Sequence, residues 1–148
     1  VNYGDNGKEI KTLVMKKYLY LNSPDFVVKN TDSYFKEGIS WNDVSTGTFS
    51  CRFIPQGYIF ADVAPTFFTP DPLLFLGYFN SNSFQQFADI ICQGLHYSTG
   101  HIPEIPFVRP SNDLVEEIKK IVSVNISLSN EDRDSDETSW GFKRNPLI

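Results

Sequence analysis

The fold is decided by Thr48-Phe49-Ser50-Cys51-Arg52-Phe53-Ile54, then Pro55-Gln56-Gly57, then Tyr58-Ile59-Phe60-Ala61-Asp62-Val63. Both outer runs are rich in β-branched and aromatic residues, and a Pro followed by a Gly across a short gap is typical of a tight turn. The stretch therefore predicts a central β-hairpin. A third short extended run, Thr66-Phe67-Phe68, follows between two prolines.

Helices are predicted on both sides of this hairpin. Apolar residues recur with helical spacing over residues 8–21, and Asp71-Pro72 has the capping residue and first-turn proline that open a helix. Ser83-Phe84-Gln85-Gln86 is typical of a capping box, and Ser111 or Asn112 caps a further helix. Residues 26–28 and 102–108 predict short extended segments. The predicted class is α+β, with a central antiparallel β-hairpin or small sheet packed on helices.

Charge is distributed unevenly along the 148 residues, whose net charge is -5. An acidic balance argues against a free-standing electrostatic DNA binder. Residues 1–60 hold seven Lys and Arg against six Asp and Glu, whereas residues 61–103 hold no Lys or Arg. Phosphate contacts are therefore expected in the first third of the chain.

Motifs for catalysis and metal binding are missing from the sequence. Cys51 and Cys92 have no metal-ligand spacing around them, and Cys51 is expected to be a small buried apolar residue. There is no glycine-rich phosphate loop, and the terminal Asn145-Pro146-Leu147-Ile148 lacks the second Pro and the aromatic of an adenine-methylating loop. The absence of a secretory signal and of a long apolar run favours the cytoplasm.

The C-terminal region is polar and acidic. Residues 127–137 have the composition of a mobile linker, so we divide the chain into a folded domain at residues 1–125 and an acidic linker and extension at residues 126–148. Val1 stands where a complete chain has its initiator Met, which suggests an excised fragment.

Five segments form an ordered pattern along the chain. They are residues 34–41 (YFKEGISW), 46–60 (TGTFSCRFIPQGYIF), 76–81 (LGYFNS), 100–106 (GHIPEIP) and 126–148 (ISLSNEDRDSDETSWGFKRNPLI). This series resembles the PglX-like adenine-specific methyltransferases of BREX phage defence. Arg133 and Asp136 depart from the family pattern, which has aromatic residues at both positions.

The resemblance implies that residues 1–125 are a recognition-like domain, with a fold similar to the target-recognition domains of restriction–modification specificity subunits. It implies an upstream catalytic domain that binds S-adenosylmethionine and methylates adenine at N6, so this chain is itself expected to be non-catalytic and without cofactor. Its implied partners are double-stranded DNA, that upstream domain and other defence-system proteins.

Six residues are our candidates for DNA contact. Lys36 and Arg52 are assigned to phosphates, and four polar residues to base edges or sugars: Ser45, Thr46, Asn80 and Asn82. Each has an alternative role. Lys36 is otherwise a solvated lysine, Arg52 pairs with a carboxylate, and Asn80 and Asn82 cap or terminate helices.

Two alternatives to a DNA reader remain at this point. An acidic, aromatic-rich chain with many β segments also suits a carbohydrate-binding domain, although no secretion signal supports that function. The stronger alternative is a protein-interaction module, an inter-domain docking piece without direct DNA contact, which requires a contiguous apolar patch. Trp41 and Trp140 are expected in the core or as staples of the fold.

Overall fold

A computed structural model describes residues 3–92 and 94–144, and the chain divides into two compact units, Val1–Phe35 and Lys36–Ile148. Within the described residues there are four α-helices and one three-stranded antiparallel sheet, which confirms the α+β class. The terminal Asn145-Pro146-Leu147-Ile148 lies outside the described residues. No helix in the described ranges combines the length and apolar character that crossing a bilayer requires.

The first unit contains helix α1 (Gly4–Lys17) and two short 3-10 turns, Pro24–Phe26 and Thr31–Ser33. The extended segment predicted at residues 26–28 is wrong, because the Ser23 hydroxyl accepts a hydrogen bond from the Asp25 amide and starts a 3-10 turn. Val14 and Val28 are the buried aliphatic residues of this unit.

The second unit is built on strands β1 (Gly38–Trp41), β2 (Cys51–Ile54) and β3 (Thr66–Phe67), in the order β2-β1-β3. The predicted pairing of residues 48–54 with residues 58–63 is wrong. β2 pairs with β1 instead, with Ser40 opposite Arg52, and β3 pairs with the other edge of β1. The extended run predicted at residues 66–68 is confirmed by β3.

The pairing follows from burial. All four residues of β1 are buried, and Ile39 is wholly inaccessible, so β1 takes the centre of the sheet. Gly57, at φ +100°, turns the chain after β2 as predicted. Residues 58–63 then cross to the far edge of β1, where the amide of Trp41 donates to the Pro65 carbonyl.

The central helices are α2 (Pro72–Phe79) and α3 (Asn82–Ile91). Pro72 occupies the first turn of α2 as predicted, but the Asp71 side chain makes no cap hydrogen bond and forms ion pairs instead. The capping box predicted at Ser83 is wrong: α3 begins two residues earlier, where the Ser81 hydroxyl accepts from the Phe84 amide.

Helix α4 (Asn112–Asp134) is the longest element, and Ser111 is its N-cap residue. The mobile linker predicted from residue 127 is wrong, since residues 127–134 continue the helix. Val115 and Val122 anchor α4 in the core. Adding residues to an existing helix costs much less free energy than forming its first turn. α4 crosses the boundary drawn between residues 125 and 126, and the functional roles given to the two parts stay a prediction.

The core lies between the sheet and the helices. Phe49 is buried in it and contacts the rings of Trp41, Phe84 and Tyr97, with the Phe84 centroid 4.9 Å away. The prediction for Trp41 is confirmed, but that for Trp140 is wrong, because its side chain is fully exposed. The extended segment predicted at residues 102–108 begins instead with a 3-10 turn, Ile102–Glu104.

Candidate nucleic-acid interface

Lys36 and Arg52, two of the candidates, are exposed cations of the second unit without an ion pair among the described residues, and so are Lys120 and Arg144. Other cations nearby are committed to ion pairs. The Nζ of Lys119 lies 3.0 Å from Oδ1 of Asp71, and an Nη of Arg109 lies 3.7 Å from Oδ2 of the same carboxylate. The carboxylate pairing considered for Arg52 is therefore not seen, and both cations are available to an anion.

Arg52 is held by strand geometry. Successive side chains of a strand point to opposite faces, and Cys51 and Phe53 pack against the core. Arg52 therefore projects from the other face of the sheet, where its partner in register is Ser40. Its backbone position is fixed by pairing with the fully buried β1, so the guanidinium extends from a rigid base.

The loop over residues 42–50, between β1 and β2, is fixed to a distant segment of the chain. The Tyr97 amide donates to the Asp43 carbonyl at 2.7 Å, and the Ser45 amide donates to the Leu95 carbonyl at 3.0 Å. The indole N–H of Trp41 donates to the Tyr97 carbonyl at 2.7 Å. The loop that carries the two candidate hydroxyl residues is thus ordered by backbone bonds.

The two hydroxyl residues of this loop differ in how far they are engaged. The half-buried Ser45 accepts a hydrogen bond from the Gly47 amide at 3.1 Å, which closes a local turn. Thr46 is exposed at the tip of this turn. Thr46 is therefore the better placed of the two to reach a ligand.

Asn80 has a structural role that competes with the assigned one. Its carboxamide oxygen accepts from the Cys51 amide at 3.0 Å, and its nitrogen donates to the carbonyls of Cys51 at 3.0 Å and Leu76 at 3.1 Å. Both amide hydrogens are therefore in use. Contact of Asn80 with a base stays a prediction, and the observed bonds match the helix-terminating alternative.

Asn82 is the first residue of α3 and is exposed. The cap itself is the neighbouring Ser81, so the capping role considered for Asn82 is filled by another residue. Asn82 lies two residues after Asn80, whose side chain bonds the backbone of β2 at Cys51. It stays a candidate for contact with a base or a sugar.

The six candidates lie at different places along the sheet. Ser45 and Thr46 follow the end of β1, Asn80 bonds the residue paired with that end, Cys51, and Asn82 lies two residues further along the chain. Lys36 precedes the other end of β1, and a four-residue strand separates its ends by ~10 Å. The structure therefore brings four polar candidates to one end, with Arg52 between them and Lys36.

Next to this edge lies a cavity of about 860 Å³ that the sequence did not predict. Its walls come from β2, α2, residues 106–110 and α4, and include Arg52, Asn80 and Arg133. The Tyr78 hydroxyl donates to the Pro106 carbonyl at this wall, and burial raises the pKa of Tyr78. Residues so far apart in sequence carry no local pattern that reveals a shared cavity.

Cys51 is not a nucleophile at neutral pH. Burial raises the pKa of its thiol to about 12, against the weaker opposing effects of Asn80 and Arg52. The neutral thiol packs as a small apolar group, as the sequence predicts. Over residues 3–92 and 94–144, no cluster of three or more His, Cys, Asp or Glu is arranged to hold a metal ion.

Comparison with known proteins identifies the type of segment. Over 151 aligned residues the chain is 30% identical to the adenine-specific methyltransferase PglX of Lacticaseibacillus casei (strain Zhang), which covers 100% of the chain and 12% of that protein. It is a PglX-like segment. The adenine-specific methyltransferase BrxX of Escherichia coli O9:H4 (strain HS) is 34% identical over 126 residues, covering 82% of the chain and 10% of the relative. No family model matches the chain.

The chain thus spans only a small part of the length of these curated relatives. Within this PglX-like segment, residues 76–81 form a joint between three elements. A Cβ at Gly77 would lie 2.9 Å from a methyl of Ile118, so a glycine lets α2 approach α4 closely. Asn80 binds the backbone of β2, and Ser81 caps α3.

Proposed function

We propose that this chain is the DNA-reading segment of a PglX-like adenine-specific methyltransferase acting in BREX or restriction–modification defence. Its task is to position the duplex and to read base edges, while the chemistry takes place in another part of the polypeptide. Base-edge recognition needs polar side chains held on a rigid frame. The sheet edge with its fixed 42–50 loop offers such a frame.

The observation that carries this proposal is the position of Arg52, an exposed cation without an ion pair that projects from the ordered sheet, with the exposed Lys36 two residues before β1. Phosphate contacts set the register of a protein on DNA, and base contacts then specify the sequence. Lys36 and Arg52 are assigned the first task. Thr46 and Asn82 are assigned the second, with Ser45 supporting the loop and Asn80 fixing the end of β2.

The remaining steps belong to the rest of the polypeptide. An upstream domain holds S-adenosylmethionine, flips the adenine out of the stack and methylates N6. The described part of this chain does not fit that cofactor: all of its strand pairs are antiparallel, whereas open α/β sheets bind nucleotide cofactors beyond the carboxyl ends of parallel strands. Double-stranded DNA in the cytoplasm, the upstream domain and other defence proteins are the proposed partners.

The salt dependence of DNA binding tests the proposal. In the full-length methyltransferase, Lys36→Gln with Arg52→Gln removes two phosphate contacts, so the slope of log K against log salt should become shallower by ~1.8. The matched control is Lys120→Gln with Arg144→Gln, two exposed cations elsewhere in the unit. An equal change in slope in both double variants would refute the assignment.

A second candidate function is the inter-domain docking piece, without direct contact to DNA. It is favoured by the exposed apolar residues of α4, among them Ile121 and Leu128. Because this function involves no direct contact with DNA, it is an alternative to the DNA-reading role.

A further inference from the structure

A regular apolar seam runs along the outer side of α4. Its members are spaced alternately four and three residues apart: Leu114, Ile118, Ile121, Asn125 and Leu128. Leu114, Ile121 and Leu128 are 47%, 54% and 56% exposed. This is the spacing with which helices pack against one another over two heptads, knobs into holes.

The seam adjoins the face that holds α4 in the fold, and Ile118 belongs to both. Val115 and Val122 are buried, and the methyl groups of Ile118 and Val122 lie against Gly77 of α2. Ile121 and Asn125 line the cavity beside β2, together with Ile118 and Val122. Leu114, Ile121 and Leu128 nevertheless form an apolar surface of α4 that stays about half exposed within the described residues.

We propose that this seam, which we call the α4 seam, packs against a helix in the part of the methyltransferase polypeptide that lies outside this chain. The inference rests on the proposed function for the existence of that polypeptide. The relatives are far longer than the chain, which covers 12% and 10% of them, so most of the protein is available to supply the helix.

Charge and polarity define the partner further. One flank of the seam is closed by the buried Val115 and Val122, and the open flank carries two exposed acids, Glu117 and Glu131. The partner helix therefore carries Lys or Arg beside its own apolar residues. Asn125, in the middle of the seam, requires a polar group opposite it, because an unmatched amide is costly to bury.

A second copy of this chain fits the seam less well. Two copies packed antiparallel would bring the same glutamates, Glu117 and Glu131, to the shared flank, where like charges repel. In a parallel arrangement the glutamates of each copy would face Val115 and Val122 of the other, which are occupied by the core. The occupant is therefore a different helix with a basic flank.

Photo-crosslinking in the full-length methyltransferase tests the seam directly. Ile121→p-benzoylphenylalanine should give, on irradiation, an intramolecular crosslink to an apolar segment outside residues 1–148 that is flanked by Lys or Arg, located by mass spectrometry; crosslinks confined to residues 1–148 would count against the proposal. The matched control is Ser123→p-benzoylphenylalanine, on the opposite face of α4, which should give at least tenfold less of that product. Crosslinks to a second copy or to DNA, or equal yields from both positions, would overturn the proposal.

A second variant tests the seam without relying on the crosslinking reaction. Ile121→Glu with Leu128→Glu leaves the buried face of α4 intact, so the segment should stay folded. The backbone amides of the partner helix should then exchange their hydrogens faster in the full-length protein. Unchanged exchange outside the segment would contradict the seam. Neither the crosslink nor the hydrogen exchange involves DNA. A negative result for the seam therefore leaves the salt-slope test of Lys36 and Arg52 unaffected, and a negative salt-slope result leaves the seam tests unaffected.

Discussion

The side-chain amide of Asn80 binds both backbone groups of Cys51, accepting from its N–H and donating to its C=O, each at 3.0 Å. It thereby takes the place that another strand would occupy at this point of the β2 edge. An open strand edge invites pairing with other chains, and a side chain that satisfies it removes part of that hazard. The same amide holds the end of α2 against the sheet.

Removing this amide should destabilise the segment. Asn80→Ala removes two hydrogen bonds to the backbone of Cys51 at an exposed edge, each of which contributes ~0.5–1.5 kcal/mol net. Asn82→Ala removes an exposed amide two residues away and should change the stability by less than ~0.5 kcal/mol. Urea unfolding followed by circular dichroism measures both changes in stability. Equal unfolding midpoints for the two variants would show that the bonds between Asn80 and the Cys51 backbone do not stabilise the segment.

A side chain at Gly77 should destabilise the segment unless a facing residue of α4 is replaced by a smaller one. Gly77→Ala places a methyl 2.9 Å from Ile118 and 3.0 Å from Val122, so overpacking should cost ~1–3 kcal/mol. In a double-mutant cycle, Val122→Ala should recover part of that loss, since it removes one of the two crowding methyl groups. Strictly additive unfolding free energies would show that the α2–α4 contact is not the cause.

The two tryptophans should respond in opposite ways. Trp41→Phe removes a buried hydrogen bond to the Tyr97 carbonyl and should cost ~1–3 kcal/mol, whereas the exposed Trp140→Phe should be nearly neutral. Acrylamide quenching in each variant reports the remaining tryptophan. Efficient quenching of Trp41 in the Trp140→Phe protein would contradict its burial.

Alkaline pH should weaken the fold through Cys51. Burial raises its pKa from the ordinary value of 9.0 to about 12, so the folded state retains a proton that the unfolded state releases. This stabilisation is fully present below pH 9 and is lost as pH rises from 9 towards 12. In a reducing buffer, the unfolding free energy of Cys51→Ala should therefore fall less steeply over that range; parallel curves would exclude Cys51 as the cause.

Local signals predicted the elements they directly specify. The Asp71-Pro72 pair located the start of α2, and Gly57 marked the turn after β2. The pairing of β2 with β1 was missed because residues 38–41 lie in a turn-rich stretch. Their burial depends on contacts with both β2 and β3, which no local pattern encodes.

Long-range stabilisation also explains the error in α4. Residues 127–134 have the composition of a linker, but the helix that precedes them is anchored by Val115 and Val122, and the Ser127 hydroxyl bonds the Glu131 carboxylate one turn on. For the candidate interface, the structure places Lys36 and Arg52 at the surface, and their contact with phosphate stays a prediction. The sequence offered a helix-terminating alternative for Asn80 but did not predict its bonds to Cys51, which lies 29 residues away.

Exchange of recognition segments tests the central claim most directly. In the full-length methyltransferase, residues 36–134 would be replaced by the matching segment of the Escherichia coli relative, and methylated adenines mapped across a genome by single-molecule sequencing. We expect the methylated sequence to become that of the segment donor, since the proposed function assigns the reading of the duplex to this segment. An active hybrid that still methylates the recipient's original sequence would contradict the account.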